Sequence, residues 1–215
     1  VLAGADLDVA AHAAALGGFA NAGQLCMSAK RIIVERAVWE DFGPRLVEAV
    51  AALRIGDPTD PLTDIAPMPE GPARRRAREA LAQALARGGR VLVGDGERGE
   101  YFTPTIVQLE PAMRDLALWR EESFAPLRAL VVAEDAADAL ALANDTPYAL
   151  GAAAFGSSDQ ADDAGGHKAA RVVVDEGPRY KDWIVYTSDA DDDLLCVDLG
   201  GRRIIKKKKK KKKYT

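Results

Sequence analysis

The stretch LRALVVAEDAADALALANDTPYALGAAAFGS, Leu127–Ser157, settles the architecture. Its opening run LRALVVAE reads as a strand, DAADALALAND (Asp135–Asp145) as a helix, and GAAAFGS (Gly151–Ser157) as a second strand. A strand, a helix and a strand in succession form the crossover that parallel strands require. The same alternation runs outward on both sides. RIIVE (Arg31–Glu35), RVLVG (Arg90–Gly94) and RVVVDE (Arg171–Glu176) read as strands, and YFTPTIVQL (Tyr101–Leu109) as an extended segment broken by Pro104. A helix capped by Asp6 runs from Leu7 and is ended by Gly23, with Leu7, Val9, Ala13, Leu16 and Phe19 as its buried stripe. AVWEDFGPRLVEAVAALRIG (Ala37–Gly56) is the next helix, with Val38, Phe42, Leu46, Val50 and Leu53 inward and Pro44 expected to disturb its first half. Residues 57–72 read as loop. Pro72 then starts a third helix that closes at Gly88-Gly89. Its inner face is Ala77, Leu81, Ala84 and Leu85; Arg74, Arg75, Arg76 and Arg78 read as a solvated face. DQADDAGGHKAA (Asp159–Ala170) is a weakened helix. The fold class is α/β: an open, mostly parallel twisted sheet flanked by helices.

Bulk properties narrow the function. Hydrophobic residues make up 48% and charged residues 29% of the 215, an ordinary globular balance. No apolar run nears the roughly 20 residues that cross a bilayer, and no signal-peptide pattern opens the chain. Two cysteines, Cys26 and Cys196, make no disulfide framework and point to a reducing, cytoplasmic setting. With only His12 and His167 as imidazoles and no C-x-x-C pair, no metal site is expected. Lys206–Lys213 is an unbroken run of eight lysines; the remaining body carries a formal charge of −12, eight below the −4 of the whole chain. An acidic body argues against specific nucleic-acid binding, and the lysine run reads as a solvated terminus. The start at Val1 rather than Met suggests a piece of a longer protein.

NAGQLCMSAKR, Asn21–Arg31, holds the one chemically suggestive residue. Small Ala22 and Gly23 let backbone approach a substrate, nearby backbone N–H groups can receive an oxyanion, and Lys30 and Arg31 add positive charge. A buried structural cysteine fits the same pattern, free cysteine being among the most buried residue types. Asn21 reads as a helix C-cap, Gln24 as a turn-shaping residue and His12 as an exposed bystander. DADDD, Asp189–Asp193, has alternate acidic spacing, but Leu194 and Gly200 stand where a calcium loop needs glycine and glutamate, so it reads as an acidic turn.

Four segments, in order, resemble the aldehyde dehydrogenase superfamily: FANAGQLCMSAKRIIVERAVWEDF (Phe19–Phe42), LRIGDPTDPLTDIAPM (Leu53–Met68), YFTPTIV (Tyr101–Val107) and EESFAPLRALVVAEDAADALALANDTPYALGAAAFGSS (Glu121–Ser158). The resemblance implies an NAD(P)-dependent oxidation of a small-molecule aldehyde to a carboxylic acid. Cys26 would be the nucleophile, passing through a thiohemiacetal and a thioester, with its own N–H on the oxyanion. Glu122 would bind the ribose hydroxyls of NAD or NADP, and Phe124 would pack by the nicotinamide. The family's general-base glutamate, its dinucleotide-binding domain and its second oxyanion donor belong to segments upstream of Val1, so this stretch by itself is expected not to complete the cycle. The resemblance also implies a homo-oligomer, dimer or tetramer, for the full-length protein. It assigns residues 1–180 to a catalytic domain, 181–205 to a divergent C-terminal segment and 206–215 to a lysine-rich tail; VDLGGRRII, Val197–Ile205, is a poor echo of the family's last signature. Ala66, Ala125 and Ala149 stand where the family has glycine, each costing about 1 kcal/mol if the position needs positive φ. Two other functions fit a reactive Cys26 or an inert one: a cofactor-free cysteine esterase or thiol hydrolase, and a non-catalytic structural homologue.

Overall fold

A computed structural model of the chain describes residues 1–148 and 150–157 and the backbone of strand 171–175. The expected helix at 159–170, the segment after Pro178, the acidic turn, the lysine run, Ala149, His167 and Cys196 lie outside the described residues.

The strands are β1 (Arg31–Glu35), β2 (Arg90–Val93), β3 (Glu97–Arg98), β4 (Tyr101–Phe102), β5 (Thr105–Gln108), β6 (Leu127–Ala133), β7 (Gly151–Phe155) and β8 (Arg171–Asp175). The helices are α1 (Leu7–Phe19), α2 (Arg36–Ala51), α3 (Pro72–Ala86), α4 (Ala117–Arg120) and α5 (Ala136–Asn144). The main sheet has the order β1-β6-β5-β2. β6 runs parallel to both β1 and β5, and the edge strand β2 is antiparallel to β5. β7 and β8 form a parallel pair. Residues 1–2 stitch that pair to the main sheet: the Val1 nitrogen donates to Ile33 O at 2.7 Å, Glu35 N donates to Val1 O, and Leu2 N donates to Phe155 O. The expected mostly parallel α/β sheet is the observed one.

All seven residues of β6 are buried, as a central parallel strand covered on both faces must be. Leu127, Ala129, Val131 and Ala133 face a core shared with α3, α4 and α5, where Trp119, Ala77 and Leu142 pack. Leu130 and Val132 face the other core, against Phe19, Phe42, Leu46 and Val50 of α1 and α2. Strand alternation puts Arg128 on this second face.

Asp6 caps α1 as expected, accepting from the N–H groups of Asp8 and Val9 at 3.1 Å. The buried face of α1 differs from the expected stripe. Ala10, Ala11, Ala13, Ala15, Gly18 and Phe19 are buried, whereas Leu7, Val9 and Leu16 are only half-buried. Small residues let α1 settle close to its neighbours, so the apolar period does not mark the contact face. α1 ends at Phe19 rather than at Gly23. α2 runs unbroken through Pro44. An internal proline costs about 3 kcal/mol, and burial of Phe42, Leu46 and Val50 around it offsets that. Val38 and Leu53 are half-buried at its margins.

On α3, Ala77 and Ala84 face the core as expected, Leu81 is half-buried and Leu85 is exposed. Arg74 is not solvated: it is 7% exposed. Its guanidinium donates to the carbonyls of Met68, Gly99 and Glu100 and to the Glu97 carboxylate at 2.6 Å, tying α3 to the β3–β4 hairpin. Arg78 donates to the same carboxylate. These donations from Arg78 and Arg74 hold the Glu97 carboxyl down to about 2. A carboxyl lowered in the fold stabilises above its unfolded pKa, and the contribution is lost as pH falls through the folded one. The urea midpoint of the wild type should therefore fall between about pH 4.5 and pH 2, and Glu97→Gln should flatten that fall. Parallel curves for the two proteins across that window would refute this assignment.

Candidate active site

Cys26 sits on a loop whose shape begins at the end of α1. After Phe19 the chain enters a 3-10 turn, Ala20–Gly23, in which Asn21 (φ 51°), Ala22 (φ 52°) and Gly23 (φ 70°) are successively left-handed. The C-cap of α1 is Ala20 rather than the expected Asn21, which lies one residue further on, inside the turn. Gln24 N donates back to Asn21 O at 3.1 Å, so Gln24 shapes the turn as expected. Ala22 is a different matter. A buried alanine at positive φ costs about 1 kcal/mol or more, and nothing in its sequence context announces it.

The turn sends residues 24–30 back beneath the last turn of α1. Ser28 Oγ donates to Gly17 O at 3.0 Å and Gly18 O at 2.9 Å, and Ala29 N donates to Gly17 O at 2.9 Å. These bonds satisfy carbonyls that the helix end leaves open. Cys26 and Met27 are pushed outward at the tip, and both are exposed. The buried structural cysteine of the bland alternative is therefore not what the fold builds. Among the described residues, no acceptor meets the Cys26 N–H.

Arg128 fastens this loop from below. Its side chain is fully buried, and burial lowers it to about 9, which leaves it charged at neutral pH. Nε donates to Gly18 O at 2.6 Å, Nη1 to Ala125 O and Leu127 O, and Nη2 to Ser28 Oγ at 2.9 Å and Gly23 O at 3.4 Å. The guanidinium also lies 5.5 Å from the Phe19 ring centroid. One cation thus joins α1, the cysteine loop and β6. The sequence carried one sign of it: an arginine inside an apolar strand run.

Residues 121–126 form the second wall. Glu121 is exposed at the end of α4, while Glu122, Ser123 and Phe124 are half-buried. Lys30 lies between the two loops. Its Nζ donates to Leu25 O at 3.0 Å, Ser123 O at 2.9 Å and Gly23 O at 3.3 Å, and sits 4.8 Å from the Phe124 ring centroid. Phe124 belongs to neither core, so it is not an ordinary core aromatic. The fold brings Cys26, Lys30, Glu122 and Phe124 into one neighbourhood.

Arg31 does not join them. It points to the opposite face of the sheet, donates to Leu142, Ala143 and Asp145 carbonyls at the end of α5, and stacks on Trp119 at 4.9 Å. Its charge complements a helix C-terminus rather than a thiolate. His12 is exposed on α1 with Nδ1 donating to Asp8 O at 2.9 Å, the bystander role expected of it. Ala66 and Ala125 do not have positive φ, so the strain suspected there is absent. A surface cleft of about 290 Å³ lined by Val50, Leu53, Val93, Asp95, Thr103 and Pro104 includes none of the four grouped residues.

Comparison with known proteins places the chain in a family. The family model described as "Aldehyde dehydrogenase family" matches residues 1–171. A succinate semialdehyde dehydrogenase of Escherichia coli, named for NAD(P)+, is 40% identical over 159 residues, covering 72% of this chain and 34% of the relative. A vanillin dehydrogenase from a Pseudomonas species is 40% identical over 155 residues, covering 72% and 32%. Among solved structures, an NAD-dependent benzaldehyde dehydrogenase from Corynebacterium glutamicum aligns with a TM-score of 0.74 at 34% identity, over 81% of this chain and 37% of that one. The chain spans about a third of the length of the curated relatives it matches.

Proposed function

Since the chain belongs to the aldehyde dehydrogenase family, we propose that it forms the nucleophile-bearing part of the catalytic domain, within residues 1–180, of an enzyme that oxidises an aldehyde to a carboxylic acid with NAD or NADP. The observation that carries this reading is the exposed Cys26 thiol at the tip of a loop pinned by Arg128, with its own N–H open beside it. The Cys26 thiolate forms the C–S bond to the carbonyl carbon, and the carbonyl pair moves to oxygen. The Cys26 N–H donates to that oxygen. Collapse of the resulting thiohemiacetal would restore the C=O with loss of hydride from the former aldehyde carbon, for which bound nicotinamide would be the two-electron acceptor, leaving a thioester on Cys26 that water would cleave to the acid and the thiolate.

Glu122 and Phe124 fit the nicotinamide half of the cofactor. A carboxylate has two oxygens for two ribose hydroxyls, and the ring of Phe124 gives a flat apolar contact. Both lie on the loop that Lys30 joins to the cysteine loop. The Oγ of Ser123, between them, is buried with no partner among the described residues. When bound, the nicotinamide supplies the hydride acceptor. The relatives act on aliphatic and aromatic aldehydes by their names, so the substrate class proposed here is the aldehyde itself. We keep the full-length protein a cytoplasmic homo-oligomer as part of the same proposal; no helix among the described residues is long and apolar enough to cross a membrane.

The test is acyl transfer. With p-nitrophenyl acetate, the wild-type chain should release about one equivalent of nitrophenol in a burst and carry the acetyl group on the Cys26 peptide. Cys26→Ala should abolish both. An acetyl group found only on Cys196, or no burst from folded wild type, would remove Cys26 from the role. Continued turnover without cofactor would instead make the chain a thiol hydrolase.

A further inference from the structure

We propose that Lys30 is a positioning residue: its ammonium locks the carbonyl just before Cys26 to the carbonyl between Glu122 and Phe124, and places a positive charge beside the thiol. The inference rests on the reading of Cys26 as nucleophile and goes beyond it, because no step above uses Lys30.

The geometry is a three-carbonyl cradle drawn from two loops. Leu25 O and Gly23 O belong to the cysteine loop, and Ser123 O belongs to the wall that carries Glu122 and Phe124. An ammonium has three protons, and all three are used. The Phe124 ring closes the remaining side. The two loops lie 93 residues apart in sequence at the Lys30–Ser123 contact, so no local turn geometry sets their spacing. Neutral backbone oxygens leave the charge of Lys30 uncancelled at the cradle. The charged groups that bear on it are Arg128 from β6, Glu122 from the second wall and Cys26 from its own loop. Burial first, and then Arg128, lowers Lys30 to about 8, against the opposing pull of Glu122 and Cys26. The clamp is therefore charged at neutral pH and loses its charge within the range where thiol chemistry is measured.

Alkylation of Cys26 by anionic iodoacetate and by neutral iodoacetamide, followed on the Cys26 peptide, reads the charge. Both reagents take the thiolate, so the ratio of their rates is independent of how much thiolate is present and reports the local potential. At pH 7 in low salt, Lys30→Gln should lower the iodoacetate-to-iodoacetamide ratio about threefold, the size expected for one unit charge lost a few ångströms away in a wet site. Lys30→Arg should keep it. In the wild type the ratio should fall as pH rises through about 8, whereas in Lys30→Arg it should stay higher across that step; titration of Arg128 is common to both. Hydrogen exchange should speed up together in residues 23–26 and 121–124 of the Gln variant. An unchanged ratio in Lys30→Gln, or a ratio in Lys30→Arg as low as in Gln, overturns the proposal. If the Gln variant does not fold, the wild-type and Arg pH curves decide alone, superposition of the two being the contrary result. Because alkylation is read rather than acylation, a Cys26 that fails the ester test can still show the Lys30 effect, and the two readings fail separately.

Discussion

Arg128→Met should destabilise the chain by about 3–5 kcal/mol, read as a lower urea midpoint at unchanged slope. Two opposing effects set the sign. The variant recovers the cost of burying a guanidinium that has no carboxylate partner among the described residues, and methionine keeps much of the packing of the stem. Against that, Gly18 O, Gly23 O and Ser28 Oγ each lose a charged donor inside the protein, and Ala125 O keeps only the N–H of Leu127. A hydrogen bond to a charged donor contributes about 1.5–3 kcal/mol, and several are lost at once, although Gly18 O keeps the Ser28 hydroxyl and Gly23 O keeps the Lys30 ammonium. The acceptors win because they belong to backbone held by α1 and β6 and cannot turn to water. Arg128→Lys should recover less than half of the loss, since one ammonium cannot span groups that a five-donor fork reaches. The destabilisation should also be local. Hydrogen exchange of residues 17–29 should speed up beyond that of β5, whose backbone pairs with β6 but which takes no hydrogen bond from the Arg128 guanidinium. A methionine variant with the wild-type midpoint would show that the guanidinium is tolerated rather than needed.

The contrast between Arg128 and the rest of β6 shows what the sequence makes visible. The strands and helices were legible because burial imposes a period, and Leu127–Ala133 followed by a capped helix at Asp135 has no competing interpretation. Cys26 could be singled out by residue type and by the family pattern around it. Its exposure could not, because that depends on Asn21, Ala22 and Gly23 all turning left-handed, and only glycine and asparagine advertise such a conformation. Arg74 and Arg128 were hidden for a related reason. Each is buried largely against backbone carbonyls, and every residue has a carbonyl, so those partners leave no letter in the sequence; Arg74 alone adds a carboxylate, that of Glu97. The same holds for Lys30. The helix α1 failed differently: its contact face is made of alanines, which carry too little hydrophobicity to reveal a direction. The sequence thus resolved most of the scaffold through its periods and the candidate cysteine through its type, and missed the cations that hold one to the other.

Gly23→Ala should cost about 2–4 kcal/mol and misplace Cys26 as well, and Gly17→Ala is its control. At Gly23 two penalties add. The left-handed backbone, φ 70°, disfavours any Cβ by about 1 kcal/mol. A Cβ there would also stand 2.5 Å from Ala125 O and 2.9 Å from the Ala125 carbonyl carbon, with Arg128 Nη2 nearer still. The arginine head could swing aside, but Ala125 is backbone leading into the central strand and cannot. The cysteine loop must therefore move, and it takes with it the Gly23 carbonyl that both Lys30 and Arg128 hold. Gly17 lies in the same helix-to-loop region but meets nothing within 4 Å and is helical, so alanine there should be neutral or stabilising by up to about 1 kcal/mol. The pair separates glycine as a spacer from glycine as a helix weakness. The measurements are the urea midpoint and the rate of iodoacetamide alkylation at the Cys26 peptide. Gly23→Ala should change both, and Gly17→Ala should raise or keep the midpoint while leaving the alkylation rate at the wild-type value. Equal midpoints for the two variants would mean that the loop can retreat from β6 without loss. The Cys26 thiol would then be held by the Lys30 cradle alone, and the close approach of Gly23 to Ala125 would not be a condition of the site.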